Sequence, residues 1–573
     1  MKKILLLAVF SLMVGICSAN DFAYDAQIDG IYYNFLGDEA IVTYQQYQQE
    51  YQNEELVEKY ISDYTGAVVI PESVTYNDKT YRVTAIGDHA FFECSGVTSI
   101  TIPSSVDSIG GYAFRHCSGL TSLAIPESVG FIGNCAIADC ANLTSVNIPS
   151  KVTTLSIGLF IRDASLTSIN IPETVDSICS WVFYGCSSLT SVVIPQGVKS
   201  VEYAVFEYCT SLTSVSLPEG MTYIDERAFD GCTNLTSVVI PEGVTSIGKA
   251  AFEYCTNLAT VVLPESLVNM EDFAFNNCES LTSVVIPKGV TKIGQCAFQA
   301  CTSLTSITLP ESLSTIEERT FLECGSLTNV VLPKNLTTIE RAAFTSCYNL
   351  KTITIPENVT QIGYLAFEAC SGLESIIVEE GNKVYDSRDN CNAIIETATN
   401  TLLTGCQNTV IPEDVTTINY GAFFKCYPLT SIVIPEGVTT MYDGAFQETG
   451  LTSVSIPSTM KYIDICVFQD CTNLTDVYCH AENIPETKET TFKNVPLSAA
   501  TLHVPAVSIG LYKATEPWSN FGNIVPLNTP VNDVLHDKPS DYSLRYYNLQ
   551  GHFSGQPAQR GVYIYNGKKI IVK

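Results

Sequence analysis

The sequence has few charged residues, and basic ones are scarcer than acidic ones. Charged side chains make up 16% of the 573 residues, and 60 acids against 30 bases give a formal net charge of −30. A protein that binds nucleic acid through a general basic surface needs the opposite sign, so this class is excluded. Electrostatic attachment to anionic lipid is disfavoured for the same reason.

Sequence motifs of catalysis and metal binding are also missing. The sequence has no H-E-x-x-H, G-x-S-x-G, Walker A or EF-hand pattern. Its six histidines show no common spacing, as expected for surface or hydrogen-bonded residues rather than ligands. We therefore expect no enzymatic activity, no cofactor and no bound metal ion.

Only one long apolar run is present, and it lies at the N-terminus. Lys2 and Lys3 precede an apolar stretch from Ile4 to Ile16, which is followed by the small residue Ala19. This pattern predicts a signal peptide over residues 1–19, with cleavage between Ala19 and Asn20 and export of the protein. No other run reaches the ~18 apolar residues of a membrane-spanning helix.

Prolines, in contrast, recur at a fixed spacing. They lie 23 residues apart from Pro103 to Pro356, and the series resumes at Pro412 and Pro435. A representative unit, residues 235–257, reads LTSVVIPEGVTSIGKAAFEYCTN. With Leu as position 1, apolar residues recur at positions 1, 4, 6, 10, 13 and 18, and Cys at position 21. Self-similarity at such a period is the signature of a repeat architecture.

Each unit predicts two short strands and a corner. Val and Ile at positions 4 and 6 alternate as in a strand, and Pro at position 7 ends it. Positions 10–13 form a second extended segment, and Ala-Phe at 17 and 18 a turn or short helical piece. Because one unit cannot bury its own apolar residues, the units must stack. We therefore predict a repeat solenoid of leucine-rich-repeat type, with 23-residue units of short parallel β-strands and turns with short helical pieces, capped at both ends.

The phase of the repeat also predicts the core and the boundaries. Phe at position 18 is expected to form a stacked spine, from Phe206 through Phe229, Phe252, Phe275, Phe298, Phe321 and Phe344 to Phe367. Residues 20–66 are expected to form an N-terminal cap, 67–480 the solenoid with an atypical insert at 379–410, and 481–528 a C-terminal cap, followed by a segment at 529–573. A hairpin with Asn77 and Asp78 as its turn is predicted in residues 76–82.

The 22 cysteines fall mainly into one phase of the repeat, at position 21, where only Asp163 breaks the run between Cys94 and Cys370. A gap of 23 residues is poor zinc spacing. Equivalent positions in stacked coils point their Cβ atoms the same way, which disfavours disulfides. We predict buried free thiols, with disulfides and metal as alternatives; Cys391 and Cys406 are the best-placed pair for a disulfide.

The unit C-x-x-L-T-S-x-x-I-P-E-x-V-x-x-I-x-x-x-A-F resembles the BspA-like leucine-rich repeats of bacterial surface proteins. The resemblance covers about residues 66–480, and residues 385–406 look like a module found within that family. Residues 547–573, with YNLQG at 547–551, look like the end of a type IX secretion sorting segment of the Bacteroidota. A plain terminal hairpin is the alternative, since residues 565–568 make a good turn.

The resemblance implies a secreted or cell-surface protein that adheres to host extracellular proteins, bacterial surface components or glycans. Outer-membrane association through the sorting segment is part of this expectation. The alternative function is a structural surface-layer or matrix component without a specific ligand.

The outward positions of the first strand offer a candidate binding face. If positions 4 and 6 point inward, positions 3 and 5 display hydroxyls and small apolar groups on an open sheet, as a recognition face or merely as a solvated ladder. The predicted face comprises Ser191, Val193, Ser214, Ser216, Ser237, Val239, Val262, Ser283 and Val285. Glu recurs at position 8, from Glu127 to Glu436. We predict a solvated edge there, with a Ca²⁺ ion or a basic partner as alternatives.

Overall fold

The computed structural model describes residues 23–52, 55–527, 561–565 and 568–572. They form two compact units: the first runs to Leu350 and includes Gln361–Ala366, and the second comprises Lys351–Thr360 and the chain from Phe367 onward. The predicted signal segment with Ala19 and Asn20 lies outside the described residues, as does most of 529–573. Within the described ranges, no helix is long and apolar enough to cross a membrane.

Antiparallel and parallel strands begin the first unit. They are Ala26–Ile28, Ile31–Leu36, Glu39–Thr43, Gln46–Gln52, Glu55–Ile61, Gly66–Val69, Ser73–Tyr76 and Lys79–Ile86. Glu39–Thr43 pairs in parallel with Lys79–Ile86 and so connects the N-terminal strands to the coils. Ser73–Tyr76 pairs antiparallel with Lys79–Ile86 through Asn77 and Asp78, whose φ angles are 49° and 61°. The predicted hairpin is confirmed, with the left-handed turn residues typical of a tight connection.

The coils of the first unit contribute two short strands each, except the coil that begins at Leu166, which lacks the first. The first strands, around positions 3–5, are Val97–Thr101, Ser122–Leu123, Ser145–Val146, Ser191–Val193, Ser214–Ser216, Ser237–Val239, Thr260–Val262, Ser283–Val285, Ser306–Thr308 and Asn329–Val331. The second strands, at positions 12 and 13, are Ser108–Ile109, Phe131–Ile132, Thr154–Leu155, Ser177–Ile178, Ser200–Val201, Tyr223–Ile224, Ser246–Ile247, Asn269–Met270, Lys292–Ile293, Thr315–Ile316, Thr338–Ile339 and Gln361–Ile362. Both sets pair in parallel with a 23-residue offset, as in Ser191 opposite Ser214 and Ser200 opposite Tyr223. The predicted parallel β-solenoid is confirmed.

The second unit repeats this pattern around the insert. Its first strands are Thr352–Ile355, Ser375–Val378, Ser431–Val433, Ser453–Ile456, Asp476–Cys479, Thr501–Val504 and Asn523–Pro526. Its second strands are Thr417–Ile418, Thr440–Met441, Tyr462–Ile463 and Glu486–Thr487. Within the insert, Tyr385–Asp386, Ala393–Glu396 and Thr401–Gly405 pair antiparallel in that order, with a 3₁₀ turn at Arg388–Asn390. Thr401–Gly405 then pairs in parallel with Thr417–Ile418, so the insert re-enters the ladder of second strands.

The third side of each coil is a corner segment, which we define as positions 14–20. The Ala-Phe pair inside it forms a turn, the first of the two predicted conformations. The backbone N–H groups of Phe252 and Tyr254 donate to the carbonyls of Ala274 and Asn276 in the next coil, both at 2.9 Å. Ala250 and Tyr254 both have φ of 55°. These hydrogen bonds between coils offset the cost of placing side-chain-bearing residues in the left-handed region.

The aromatic spine is confirmed in the core. All eight predicted phenylalanines, from Phe206 to Phe367, are buried. From Phe206 to Phe344, adjacent ring centroids are 5.1 to 5.9 Å apart and the rings tilt by no more than 18°. The 23-residue period therefore places one ring directly over the next.

The cysteines at position 21 form a ladder of buried thiols. In most coils Sγ donates to the carbonyl of the preceding coil's phenylalanine, as from Cys232 to Phe206 at 3.1 Å and from Cys255 to Phe229 at 3.2 Å. All 21 cysteines in the described residues are free thiols, Cys391 and Cys406 included, which confirms the predicted thiols. Cysteine suits this rung because it is small and apolar and still offers a weak donor.

Asp163 occupies the thiol rung in one coil. Its side chain is fully buried; Oδ1 accepts the backbone N–H of Cys140 at 2.8 Å, while Oδ2 has no hydrogen-bond partner among the described residues. Burial raises the pKa of Asp163 well above the usual carboxyl range, and the charge of Asp139 adds to the shift. A carboxyl group is thus held where every neighbouring coil has a thiol.

The C-terminal end of the second unit is covered by irregular structure. It contains the 3₁₀ turns Leu497–Ala499, Ala506–Ser508 and Trp518–Asn520 and the short α-helix Ile509–Ala514. Trp518 is fully buried and packs edge-on against Phe492 and Tyr512 at centroid distances of 5.3 and 5.4 Å. These rings close the aromatic stack of the last coils. Further along the chain, Gly561–Tyr565 and Lys568–Val572 pair as an antiparallel hairpin.

Candidate functional site

The predicted binding face consists of outward side chains on the first strands of the first unit. Alternation buries Val238 and exposes Ser237 and Val239, and the other coils of the face repeat this alternation. Exposure reaches 66% for Val193 and 72% for Val285. The strand register aligns position 3 over position 3, as in Ser191 over Ser214 and Ser237 over Thr260, and position 5 over position 5.

Position 5 forms an exposed apolar row on this face. Its members are Val193, Val239, Val262, Val285 and Val331, interrupted by Ser216 and Thr308. Parallel sheets usually have both faces covered, so exposed valines on one are unusual. Val239, Val262 and Val285 form its uninterrupted stretch. Contiguous exposed apolar surface can mark an interaction site.

The threonines at position 2 have an internal role instead. Thr213 Oγ1 donates to the carbonyl of Thr190 at 3.1 Å, and Thr305 Oγ1 donates to that of Thr282 at 3.1 Å. The hydroxyl thus adds a side-chain bond between consecutive coils beside the backbone ladder. Both members of the repeated Thr-Ser pair are exposed, and the serine is the one that belongs to the predicted face.

The glutamates at position 8 also bond between coils. Glu242 Oε1 accepts the backbone N–H of Glu265 at 3.0 Å, and Glu127 Oε2 accepts both the N–H and the hydroxyl of Ser150 at 2.9 and 2.7 Å. These bonds lower the pKa of Glu127 below its usual range. In several coils the glutamate therefore accepts the N–H group that follows the proline of the next coil. No cluster of three His, Cys, Asp or Glu in the described residues could hold a metal ion.

The corner segments carry the side chains that differ most from coil to coil. An open cleft of about 360 Å³ lies on this side of the first unit, between residues 161 and 227. Trp181 and Tyr203 line it, with centroids 5.2 Å apart and the rings nearly perpendicular. Trp181 is 39% exposed. Tyr184 lines it as well, so aromatic faces make up much of its floor.

Ion pairs form the walls of this cleft. Arg227 Nη1 donates to Glu207 Oε1 at 3.1 Å and to Asp230 Oδ2 at 3.4 Å. Burial is the main cause that raises the pKa of Glu207 above its usual range and the pKa of Asp230 to about 7. On the opposite wall, Arg162 Nη1 lies 3.5 Å from Asp139 Oδ1. Each arginine is thus held in place by a buried carboxyl group.

Two histidines lie in or next to the first strands of the second unit: His503 is in Thr501–Val504, and His480 directly follows Asp476–Cys479. Ser455 Oγ and His480 Nε2 are 3.1 Å apart, and His503 Nε2 lies 3.0 Å from Asp476 Oδ1. Burial lowers the pKa of His480. A serine and a histidine at this distance could form a nucleophile and base, yet no carboxylate among the described residues hydrogen-bonds His480 to orient it. The pair carries no catalytic assignment.

The family profile described as BspA type leucine rich repeat region, in six copies, matches residues 71–190, 158–282, 268–393 and 401–512. These segments cover well over half of the chain. The chain belongs to the BspA-type leucine-rich repeat family.

Several solved structures are similar to this BspA-type chain. A leucine-rich repeat protein from Bacteroides ovatus is 28% identical, with 77% of this chain and 100% of that chain covered and a TM-score of 0.48. A leucine rich cell surface protein from Faecalibacterium prausnitzii is 29% identical, with 66% and 98% covered and a TM-score of 0.40. The pneumococcal vaccine antigen PcpA is 14% identical, with 90% and 100% covered and a TM-score of 0.32. A comparison with curated proteins finds no match.

The repeat pattern does not mark the cleft of this BspA-type protein. Ile161, Tyr184 and Glu207 share position 19, and Trp181 and Arg227 share position 16, but the residue type differs from coil to coil. Two signals in the sequence point toward it. Trp181 is one of only two tryptophans, and five of the nine arginines stand at positions 15, 16, 19 or 20 of their units: Arg115, Arg162, Arg227, Arg319 and Arg341.

Proposed function

We propose that this protein is exported and binds extracellular macromolecules, namely host proteins, bacterial surface components or glycans, through the first-strand face of its first unit. Membership of the BspA-type family and the predicted signal peptide support an exposed location. The family is built of repeats without a recurring catalytic site, so binding rather than catalysis is proposed.

The observation that carries this proposal is the exposed valine row. Val193, Val239 and Val285 are each more than 60% exposed, and they stand on strands whose inward residues are buried. Such side chains lose little conformational entropy when a partner covers them, because valine has one rotatable bond and the strand is already ordered. A flat face of this kind suits a large partner better than a small molecule.

The test is a double substitution, Val239→Lys with Val262→Lys, in the chain without residues 1–19. Both side chains point to solvent, so the fold should be retained. The introduced lysines should oppose binding, because their charges would lose water when a partner covers the face. Binding to an array of extracellular matrix proteins and glycans should fall by about tenfold or more. The matched control is Val268→Lys with Thr291→Lys, which adds the same charge at exposed positions on the second-strand side. Equal binding by the face variant and the wild type would discard this face.

A structural role in a surface layer is the second candidate, and the same row favours it, since an exposed apolar strip would also suit contacts between copies. Light scattering of the purified chain separates the two. Concentration-dependent assembly that Val239→Lys abolishes, without any saturable ligand on the array, supports the layer component. A monomer with saturable binding supports the adhesin.

We also propose that residues 1–19 are removed between Ala19 and Asn20 and that residues 529–573 act as a type IX sorting segment. The support for the second assignment is the YNLQG motif and the glycine- and lysine-containing end of the sequence. Deleting 529–573 should retain the protein in the periplasm, whereas the intact chain reaches the cell surface or medium. Mass spectrometry of the exported protein identifies its N-terminal residue; a start other than Asn20 contradicts the cleavage site.

A further inference from the structure

The cleft on the corner side of the first unit has the composition of a binding site for a polar ligand. Its volume of about 360 Å³ lies in the usual range for small ligands, although it is open to solvent along one side. An occupant would therefore be partly covered and partly hydrated. This requirement favours a ligand with one apolar face and many polar groups.

The aromatic side chains supply the apolar contact. Trp181 and Tyr203 both line the cleft, with their rings nearly perpendicular to each other. Trp181 stands at position 16, where most other coils have a smaller residue, and its φ of 61° lies in the left-handed region. An exposed tryptophan held there by the backbone bonds of the corner is a rigid platform with little entropy to lose.

Carboxyl groups outnumber the arginines around the platform. Arg162, Arg227 and Glu207 line the cleft. Asp139 lies 3.5 Å from Arg162, and Asp230 and Glu226 lie 3.4 and 3.9 Å from Arg227. No surplus positive charge remains for an anion, and buried carboxyl groups oppose one. The ion-paired walls equally disfavour a purely hydrophobic ligand.

The donors and acceptors that remain match hydroxyl groups. A guanidinium has five N–H donors, and both hydrogen bonds that Arg227 makes to carboxylates in the described residues come from Nη1. Glu207 keeps further acceptor capacity on its carboxylate. Rigid donors and acceptors side by side can pair with a hydroxyl that both donates and accepts.

We propose that this cleft binds a neutral saccharide, with a sugar ring stacked on Trp181 and its hydroxyls bonded to Arg162, Arg227 and Glu207. A pyranose ring offers what the cleft selects: an apolar face of C–H groups, a rim of hydroxyls and no net charge. The inference rests on the proposed function as an extracellular binding protein, and it adds a second binding surface to it.

The tryptophan content allows a direct test with the whole exported chain. Trp181 is 39% exposed in the cleft, whereas Trp518, the other tryptophan, is fully buried in the second unit. Titration with neutral hexasaccharides of glucose, mannose and N-acetylglucosamine should change the tryptophan fluorescence saturably for at least one of them. A sulfated oligosaccharide should give no such change. No response to any neutral sugar at about 10 mM, or a response to the sulfated one alone, overturns the proposal.

Variants locate the site by calorimetry, which does not depend on the reporter. Trp181→Ala and Arg162→Ala alter exposed side chains, so the fold is expected to be retained, and each should weaken saccharide binding by roughly tenfold or more. The control is Tyr254→Ala, an exposed aromatic of another corner segment outside the cleft lining. Unchanged affinity in Trp181→Ala would show that the sugar binds elsewhere.

The outcomes separate this inference from the proposed function. If the saccharides fail while array binding still depends on Val239, the cleft assignment is wrong and the first-strand face stands. If the saccharides bind through Trp181 but the array gives no Val239-dependent partner, the cleft stands and the face is wrong.

Discussion

Replacing Asp163 by cysteine should stabilise the coil that contains it. The wild-type carboxyl is fully buried, and Oδ2 has no hydrogen-bond partner within the described residues. In the substituted chain, Sγ would donate to the carbonyl of Ile137, which stands where the neighbouring coils have their phenylalanine. The backbone N–H of Cys140, now bonded to Asp163, would turn to the carbonyl of Ile137, as the equivalent N–H of Cys117 bonds to Phe114 at 3.1 Å.

The magnitude follows from the missing bond and from the proton. An unsatisfied buried polar group costs about 1–3 kcal/mol. Asp163→Cys should therefore raise the free energy of unfolding by that amount even at acid pH, where the Asp163 carboxyl is protonated in the folded and the unfolded chain. The pKa of Asp163 is raised by burial, so the folded chain holds the proton more tightly than the unfolded chain. Stability therefore falls as pH rises from the ordinary carboxyl pKa, by about 1.4 kcal/mol per pH unit, until the folded-state pKa is passed. The advantage of the variant should grow over that range.

Hydrogen exchange read by mass spectrometry is the assay, because a chain of two units need not unfold in one step. Peptides from the coils around residue 163 should exchange more slowly in Asp163→Cys than in the wild type, and the gap should widen between pH 4.5 and 7. Asp163→Asn, which cannot ionise, should remove the pH dependence. Cys232→Asp should introduce it in a regular coil. A variant that is less stable, or a gap independent of pH, would refute the account of this rung.

Two further predictions concern the core. Phe252→Ala should destabilise the first unit by about 3–5 kcal/mol in urea unfolding, because the ring is fully buried between neighbours 5.1 and 5.3 Å away; Phe252→Leu should cost clearly less, and an equal cost would contradict the stacking. In the native protein, a thiol reagent should modify the partly exposed Cys135, Cys179 and Cys466 first, because burial raises the pKa of ladder thiols such as Cys232 and excludes the reagent; rapid labelling of Cys232 before unfolding would show that the ladder is open.

The periodic features of the fold could be predicted from the sequence, because residues at the same position of the repeat stack on one another. Residues equivalent to Val238 and Phe252 recur every 23 residues with similar neighbours, so their position in the repeat predicts that they are buried. The insert was located by the break in the proline series, but its antiparallel pairing depends on contacts that no period describes. The division into two units near Leu350 also has no counterpart in the repeat.

The candidate sites likewise have features that the sequence predicts and features that it does not. Val239 was expected on an outward face because strand alternation decides it. The glutamates at position 8, Glu242 among them, are expected to form a solvated edge. The bonds that Glu242 and the Thr213 hydroxyl make to adjacent coils appear only once the distance between coils is known. Trp181 and Arg227 line one cleft because they are 46 residues apart, which is two repeat periods, and so share position 16. The period places them in one column, but it does not predict that an aromatic ring and a guanidinium group together form a cleft.

The thiol ladder requires the exported chain to fold before its cysteines are oxidised. A chain exported as we propose reaches an oxidising compartment with 21 thiols that the folded structure needs in reduced form. In most rungs the thiol donates to a carbonyl in the preceding coil, 26 residues back in the sequence. Contacts of such short range form quickly, and each coil that docks removes one more cysteine from reach of an oxidant. Coil-by-coil assembly is thus the chain's own protection against disulfides that would trap it in the wrong register.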